Sequence, residues 1–145
     1  MSGELYRTIL IPLENSSTDE TILRHIRPLA ALCRARLVLV HVCDGHAARN
    51  QAQLNLADSE EIREDEAYLA RRAEELKGEG FSVGYHLPRG DPTTEILRLA
   101  AAEKAELIAM ATHGHGMIKD ALLGTVANSV RHRTNIPVLM VRAGA

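Results

Sequence analysis

The sequence predicts an α/β protein with an open, mostly parallel sheet and helices on both faces. Apolar runs alternate with segments whose apolar residues recur at helical spacing, in the order βαβαβαβαβ. The runs at residues 9–11 and 37–40 are apolar at every position, which is typical of strands buried on both faces. A glycine-rich segment follows the fourth run, at the carboxyl end of a strand, where sheets of this class bind ligands.

The first half of the chain begins with two predicted strands, residues 5–13 and 36–42. Between them, Ser17 and Glu20 are three residues apart and predict a capping box at the start of a helix. Residues 46–56 are polar and irregular and predict a loop. The apolar residues at helical spacing in the first helix are Ile22, Leu23, Ile26, Leu29, Ala30 and Cys33.

A long second helix is predicted to begin at Asp58, which forms a capping box with Glu61, and to end at Gly78. Residues 81–87 alternate between apolar and polar side chains and predict an edge strand with one face covered. The predicted apolar face of the helix is Ile62, Leu69, Ala70, Ala73 and Leu76. Its acidic residues predict a solvated face: Glu60, Glu61, Glu64, Asp65 and Glu66.

In the second half, Asp91 followed by Pro92 predicts the start of a third helix, because proline suits the first helical position. Residues 107–111 predict the fourth strand, residues 125–132 the fourth helix and residues 137–142 the last strand. Sheets with crossovers of this kind are wound right-handed and carry helices on both faces.

Composition limits the possible classes of protein. With 145 residues, 46% hydrophobic and 25% charged, the chain is expected to form one globular domain over residues 1–145. A net charge of −2 provides no general attraction to nucleic acid or to an anionic membrane. Neither a spanning apolar run nor a signal peptide is visible, so we expect a cytoplasmic protein without nucleic-acid or membrane partners.

Residues 107–125 carry the most specific functional signal. Gly114 and Gly116 follow a buried strand, and Gly124 with Thr125 opens a predicted helix. Unpaired amides at a helix start and the positive end of the helix dipole attract phosphate, and glycines allow close approach. Two glycines after a strand are by themselves more often only a turn, and Thr125 also suits a helix N-cap.

Ala111, Gly114, Gly124 and Thr125 match the spacing G-x2-G-x9-G-[S/T], in which alanine replaces the first glycine. Together with the runs at residues 9–13, 40–42 and 137–141, this spacing makes the chain resemble the universal stress protein family, in particular its ATP-binding members. The resemblance implies a stress-response role, a dimer and a Rossmann-like, adenine nucleotide alpha hydrolase-like fold. It also implies a five-stranded parallel sheet in the order 3-2-1-4-5.

The resemblance further implies which residues contact a nucleotide. Glu14 stands where the family usually has aspartate, and Ala111 adds a methyl group where the backbone approaches the ligand. We also hypothesise that His115 faces the phosphates, with Lys119 nearby. The implied residues are Pro12, Leu13 and Glu14 beside adenine and ribose, Val42 beside the base, Met110, Ala111, Thr112, His113 and Gly114 along the ribose and phosphates, and Gly124, Thr125 and Val126 at the phosphates.

Other chemistry has weaker support. His113 and His115 would be half of a metal site, but no partner cluster is visible, so we predict no metal bound by the protein itself. The expected ligand is ATP, and an accompanying Mg²⁺ or Mn²⁺ is left open. The chain has no catalytic triad pattern and no P-loop, so we predict at most slow ATP hydrolysis. His41 is interpreted as a satisfied histidine within the second strand.

Two functions from different classes remain. The first is a nucleotide-binding regulatory homodimer, and the second is a dimeric interaction or chaperone-like module of the same family that no longer binds nucleotide. Both use a dimer, which we expect to form through the last strand because a strongly apolar strand at a sheet edge leaves unpaired backbone groups. The residues of this expected interface are Val138, Leu139, Met140 and Val141.

Overall fold

The computed structural model describes residues 5–44, 51–113 and 122–143. Within these ranges the chain forms seven strands and four helices in alternating order. The strands are β1 (Thr8–Pro12), β2 (Arg36–Val40), β3 (Cys43–Asp44), β4 (Ser82–His86), β5 (Arg89–Gly90), β6 (Leu107–His113) and β7 (Val138–Ala143). The helices are α1 (Thr18–Cys33), α2 (Gln51–Gly78), α3 (Pro92–Ala102) and α4 (Leu122–Arg133).

Five strands form one parallel sheet in the spatial order β4-β2-β1-β6-β7. Counted along the chain without the two short strands, this order is 3-2-1-4-5, which confirms the predicted fold. The strands β4 and β7 lie at the two edges, as the sequence predicts. β3 and β5 pair as a separate two-stranded sheet that the sequence did not predict, because two residues are too few for a periodic pattern.

The sheet buries side chains on both faces, which explains the consecutive apolar residues of its strands. Ile9 and Ile11 point to the face covered by α1 and α2, whereas Leu10 points to the face covered by α3 and α4. Successive residues of a strand alternate between faces, so a strand without polar positions needs helices on both sides. The two resulting cores hold the sheet between two helical layers.

The start of α1 differs from the predicted capping box. Ser17 occupies the N-cap position, but its side chain makes no capping hydrogen bond. The Glu20 carboxylate does not reach back to the N-cap, because it accepts hydrogen bonds from Arg27 at 3.2 Å and Arg72 at 2.9 Å. The prediction of a capping box was therefore wrong, although the apolar face of the helix is buried as expected.

Helix α2 begins earlier than predicted. Residues 51–56 were expected to be a loop, and Asp58 was expected to be a cap, but both lie inside the helix Gln51–Gly78. The segment lacks hydrophobic periodicity, yet Gln51, Ala52, Leu54 and Ala57 are good helix formers and no glycine or proline interrupts them.

No helix in the described ranges combines the length and the apolar character that crossing a bilayer requires.

Helix α3 begins as predicted. Asp91 is the N-cap, and its carboxylate accepts a hydrogen bond from the Thr94 amide at 2.9 Å. Pro92 occupies the first helical position, where a missing N–H costs nothing. The same hydrogen bonds to Thr94 hold the pKa of the Asp91 carboxyl below its ordinary value.

The different burial of Leu5 and Leu10 predicts that their substitution changes the free energy of unfolding by different amounts. Leu10 is buried in the centre of the sheet, whereas Leu5 is largely exposed. We expect Leu10→Ala to lower the free energy of unfolding by about 2 to 5 kcal/mol, because it removes packed atoms and leaves a cavity. Leu5→Ala is the matched control, and urea denaturation measures both. Similar small changes in the two variants would contradict the described packing.

Candidate functional site

A cleft opens where the winding direction of the sheet reverses. β1 lies between β2 and β6, and its pairing with β6 extends only over Ile9 and Leu10. Beyond Leu10 the carboxyl ends of β1 and β6 separate, although β1 stays paired with β2 as far as Pro12. The reversal point of an open α/β sheet is where ligands of this fold class bind. The backbone thus places an opening at the predicted edge.

The cleft is open to solvent and has mostly apolar walls. Strand ends provide one wall, α3 a second, and Val126 of α4 a third. The lining residues are Pro12, Leu13, Glu14, Val40, His41, Val42, Pro92, Ile96 and Val126.

The main chain at Val42 faces this opening. The His41 amide donates to the His86 carbonyl at 3.2 Å, and the Cys43 amide donates to the Pro88 carbonyl at 2.8 Å. Successive residues of an extended chain direct their N–H and C=O groups to opposite sides, so those of Val42 point towards the β1 side. β1 has already ended there, which leaves one amide and one carbonyl directed at the mouth of the cleft.

The loop between β1 and α1 is held by one buried carboxylate. Asp19 accepts hydrogen bonds from the backbone amides of Glu14 at 2.9 Å, Asn15 at 2.8 Å and Ser16 at 3.3 Å. Asn15 adopts a left-handed conformation with φ of 62°, which asparagine tolerates better than most residues. The shape of the loop beside the cleft therefore depends on Asp19.

Helix α2 is attached to the same carboxylate. The Tyr68 hydroxyl donates to Asp19 at 2.5 Å, and Arg72 donates to the Tyr68 oxygen at 3.1 Å. Burial, together with the hydrogen bond to the Asp19 carboxylate, raises the pKa of Tyr68 well above its ordinary value. Tyr68 is thus a neutral hydrogen-bond donor over the physiological pH range.

A second polar connection joins α2 to the loop through Asp65. Asn15 donates its side-chain amide to Asp65 at 3.0 Å, and His41 lies 3.2 Å from the other carboxylate oxygen. The other ring nitrogen of His41 lies 2.9 Å from the Leu13 carbonyl oxygen. Asp65, predicted to be on a solvated face, is instead buried. That prediction was wrong because Asp65 precedes Leu69 by one helical turn and shares its buried face.

The family model of the universal stress proteins matches residues 5–142. The chain belongs to the universal stress protein family. Universal stress protein MJ0577 of Methanocaldococcus jannaschii is 30% identical over 155 residues, which cover 95% of this chain and 96% of that protein. The solved structure of MJ0577 superposes with a TM-score of 0.85 and covers 97% of this chain and 98% of that one.

Two further universal stress protein structures share the fold at lower identity. A universal stress protein in complex with cAMP has a TM-score of 0.71 at 21% identity and covers 97% of this chain and 100% of that one. The universal stress protein from Archaeoglobus fulgidus in complex with dAMP has a TM-score of 0.66 at 21% identity, covering 94% and 98%.

Several residues implied by the family resemblance lie together around the cleft. Pro12, Leu13, Glu14, Val42 and Val126 line it directly. The Glu14 carboxylate also accepts a hydrogen bond from the Thr18 hydroxyl at 3.1 Å. His41 lines the cleft as well, a position that the sequence did not assign to a ligand, because β2 ends two residues earlier than expected.

The implied residues of β6 have a different placement. The side chains of Met110 and Ala111 are buried in the two cores, and Thr112 is half-buried. Ala111 directs its methyl group into the core beneath α1 and α2. Of Met110 and Ala111, only the main chain would then be free to approach a ligand. His113 ends the strand, and Gly114 and His115 lie outside the described residues.

The expected helix start at Thr125 was wrong. α4 begins at Leu122, so Gly124 lies in its first turn and Thr125 lies inside the helix with an exposed side chain. Gly124 therefore lies within the described part of the helix, and Thr125 is not the N-cap. The helix includes Leu122 and Leu123, which precede Gly124, because leucine is a strong helix former.

The raised pKa of Tyr68 predicts how stability depends on pH. The unfolded phenol loses its proton near pH 10, whereas the folded one keeps it, so the stabilisation is present below about pH 10 and is lost as the pH rises further. We expect the free energy of unfolding to fall less steeply above about pH 10 in Tyr68→Phe than in the wild type. Urea denaturation across that range measures it.

Tyr85→Phe is the matched control for this experiment, because Tyr85 lies exposed on β4, at the edge of the sheet. It should retain the steep wild-type decrease. Equal slopes in the wild type and in Tyr68→Phe would show that the hydroxyl of Tyr68 is not held by Asp19.

Proposed function

We propose that this universal stress protein is a cytoplasmic regulatory protein of the stress response that binds an adenine nucleotide and acts as a homodimer. The observation that carries the proposal is the apolar cleft at the reversal point of the sheet, with the Val42 main chain directed at its mouth. The proposed ligand is ATP, with Mg²⁺ or Mn²⁺ as an accompanying ion.

The base fits the part of the cleft nearest β2. Val40, Ile96 and Val126 provide apolar surfaces for the faces of a planar ring. The Val42 amide and carbonyl offer one donor and one acceptor, which match the ring nitrogen and the amino group of adenine. The complexes of universal stress proteins with cAMP and with dAMP support the choice of an adenine ligand.

The phosphates are assigned to the first turn of α4. Gly124 lies near the described start of this helix, and the first amides of a helix have no intrahelical partners. The positive end of the helix dipole adds an attraction for anions. Following the family pattern, we assign Met110, Ala111, Thr112, His113 and Gly114 to the ribose and phosphates, and Gly124, Thr125 and Val126 to the phosphates. We also assign His115 to the phosphates, as hypothesised from the sequence.

The second candidate function is that of a dimeric interaction or chaperone-like module of the same family that does not bind nucleotide. One observation favours it: the Glu14 carboxylate, which replaces the usual aspartate, is engaged by the Thr18 hydroxyl at 3.1 Å. A ribose would have to compete with that hydrogen bond. Because a hydroxyl is a weak competitor and the cleft itself is retained, we rank nucleotide binding first.

Nucleotide binding is tested by placing a negative charge at the proposed phosphate position. We expect the wild-type chain to bind ATP with a Kd of about 1 μM or tighter, or to release ATP or ADP when purified protein is denatured. Gly124→Asp should weaken binding at least about hundred-fold, because its carboxylate repels phosphate. Isothermal titration calorimetry and mass spectrometry measure these outcomes.

Gly78→Asp is the control, since Gly78 ends α2 and a side chain there meets nothing within 4 Å. It should bind ATP as the wild type does. If the wild type neither binds nor carries a nucleotide, or if both variants bind equally well, the nucleotide assignment fails and the second candidate takes its place.

The proposed dimer uses the free edge of β7 and the groove beside it. β7 pairs with β6 on one side only. Leu139 and Val141 of β7 form a groove with Leu29 and Leu32 of α1, and Leu32 is 73% exposed. An open strand edge continuous with an apolar groove suits a second copy of the same chain, because a two-fold axis can pair the two edges.

The two edges of the sheet provide a matched test of the dimer. Met140 on β7 and Tyr85 on β4 are 36% and 37% exposed, respectively. We expect Met140→Glu to convert the dimer to a monomer, since two like charges would meet across the axis. Tyr85→Glu should remain dimeric. Light scattering after gel filtration measures the mass. A monomeric wild type would contradict the dimer, as would monomers in both variants.

A further inference from the structure

His41 lies between two hydrogen-bond acceptors. Its Nδ1 is 2.9 Å from the Leu13 carbonyl oxygen, and its Nε2 is 3.2 Å from an oxygen of Asp65. A carbonyl oxygen and an ionised carboxylate can only accept, so each ring nitrogen must donate. A neutral imidazole has only one N–H and would direct a lone pair at the other acceptor. With Asp65 ionised, the arrangement is therefore complete only when the ring is an imidazolium.

The pair is well removed from water. The side chain of His41 is 16% exposed and that of Asp65 is 10% exposed. A carboxylate at this depth needs partners, and the Asn15 amide at 3.0 Å satisfies its other oxygen. If the ring lost its second proton, Asp65 would keep the Asn15 amide but would face a lone pair at its second oxygen.

The elements packed around the ring contribute several other titratable groups. Asp19 and Tyr68 are hydrogen-bonded to each other, and Arg72 is engaged by Tyr68 and Glu20. Glu14 lies in the adjoining loop, and the His86 ring on β4 is hydrogen-bonded to Glu103. Among the described residues, Asp65 is the charged group in contact with the His41 ring.

His41 joins the wall of the cleft to helix α2. Leu13 and His41 both line the cleft, whereas Asp65 belongs to α2 and also binds Asn15 in the loop after Leu13. The imidazolium thus fixes the Leu13 carbonyl directly and the position of Asn15 through Asp65. These contacts set the course of the loop immediately beside the proposed base and ribose.

We propose that His41 is a positioning residue whose imidazolium form holds the loop from Leu13 to Asn15 in the shape that nucleotide binding requires. The inference rests on the proposed nucleotide function and adds a regulator to it, the proton. Nucleotide affinity should fall as the pH rises, because a ring that has lost one of its two N–H protons can no longer donate to both Leu13 and Asp65.

The test measures the Kd for ADP by calorimetry at about pH 6 and about pH 8, since histidine is the side chain that most readily changes its charge near neutral pH. We expect the wild type to bind roughly ten-fold more weakly at the higher pH, since one linked proton changes affinity by at most about ten-fold per pH unit. His41→Gln should bind as weakly as the wild type does at high pH, with a flatter pH profile. Asp65→Asn should also flatten the profile, because it removes the negative charge that accepts the N–H of His41 Nε2.

An exposed histidine serves as the control. His132→Gln changes a residue in the last turn of α4 and should keep the wild-type profile. A flat profile in His115→Gln alone would assign the proton to His115 and overturn the proposal. Because all variants bind the same ligand, titration of its phosphates is common to every profile and cancels in the comparison.

The two proposals fail in different ways. Equal affinity of the wild type at both pH values overturns the role of His41 and leaves the nucleotide function intact. Absence of binding at either pH overturns the nucleotide function, and the inference fails with it. A His41→Gln variant that keeps a wild-type pH profile also overturns the inference, since a merely structural histidine would change stability without changing that profile.

Discussion

The buried carboxylate of Asp19 is the interaction on which the cleft depends. It accepts three backbone amides from the loop after β1 and the hydroxyl of Tyr68 from α2. A carboxylate without solvent is strongly unfavourable unless such donors surround it, and the loop amides would in turn be unsatisfied without the carboxylate. Because the carboxylate and the amides satisfy each other, they hold the loop in one conformation. This loop forms one wall of the proposed nucleotide site.

The opposite wall arises from the sheet itself. β1 and β6 pair over two residues and then separate, while β3 and β5 continue the course of β2 and β4 beyond the main sheet. The mouth of the cleft is therefore lined by backbone on the β2 side and by helices α3 and α4 on the other. Such a wall offers main-chain hydrogen bonds for a base edge and apolar side chains for its faces, which is how the two halves of the site complement each other.

The sequence predicts this fold well because its strongest signals are apolar runs. Ile9, Leu10 and Ile11 are buried on both faces, and no alternative to a sheet between helical layers accommodates them. Asp65 and Tyr68 were missed because hydrophobic patterning treats polar side chains as solvent-facing. Their spacing from Leu69 and Leu76 does place them on the buried face of α2, so helical geometry was the available signal.

Helix ends were predicted less well than helix faces. The first turns of α2 and α4 extend beyond the expected caps, since residues such as Ala52 and Leu122 continue a helix by propensity alone. At α1 the expected partner of the cap, Glu20, is bound by two arginines, one of them from α2. Competition of this kind depends on residues distant in the sequence, so local motifs could not reveal it.

The connections between the loop and α2 also constrain the order in which the protein is assembled. Asn15 and Asp65 are 50 residues apart in the chain, and Asp19 and Tyr68 are 49 apart. Contacts over such separations form late, after local helices and neighbouring strands. During synthesis, the strand β1 and the helix α1 emerge long before their partner on α2 does. The proposed binding surface is thus a late product of folding, and a nascent chain acquires it only after α2, α3 and Val126 of α4 have been made.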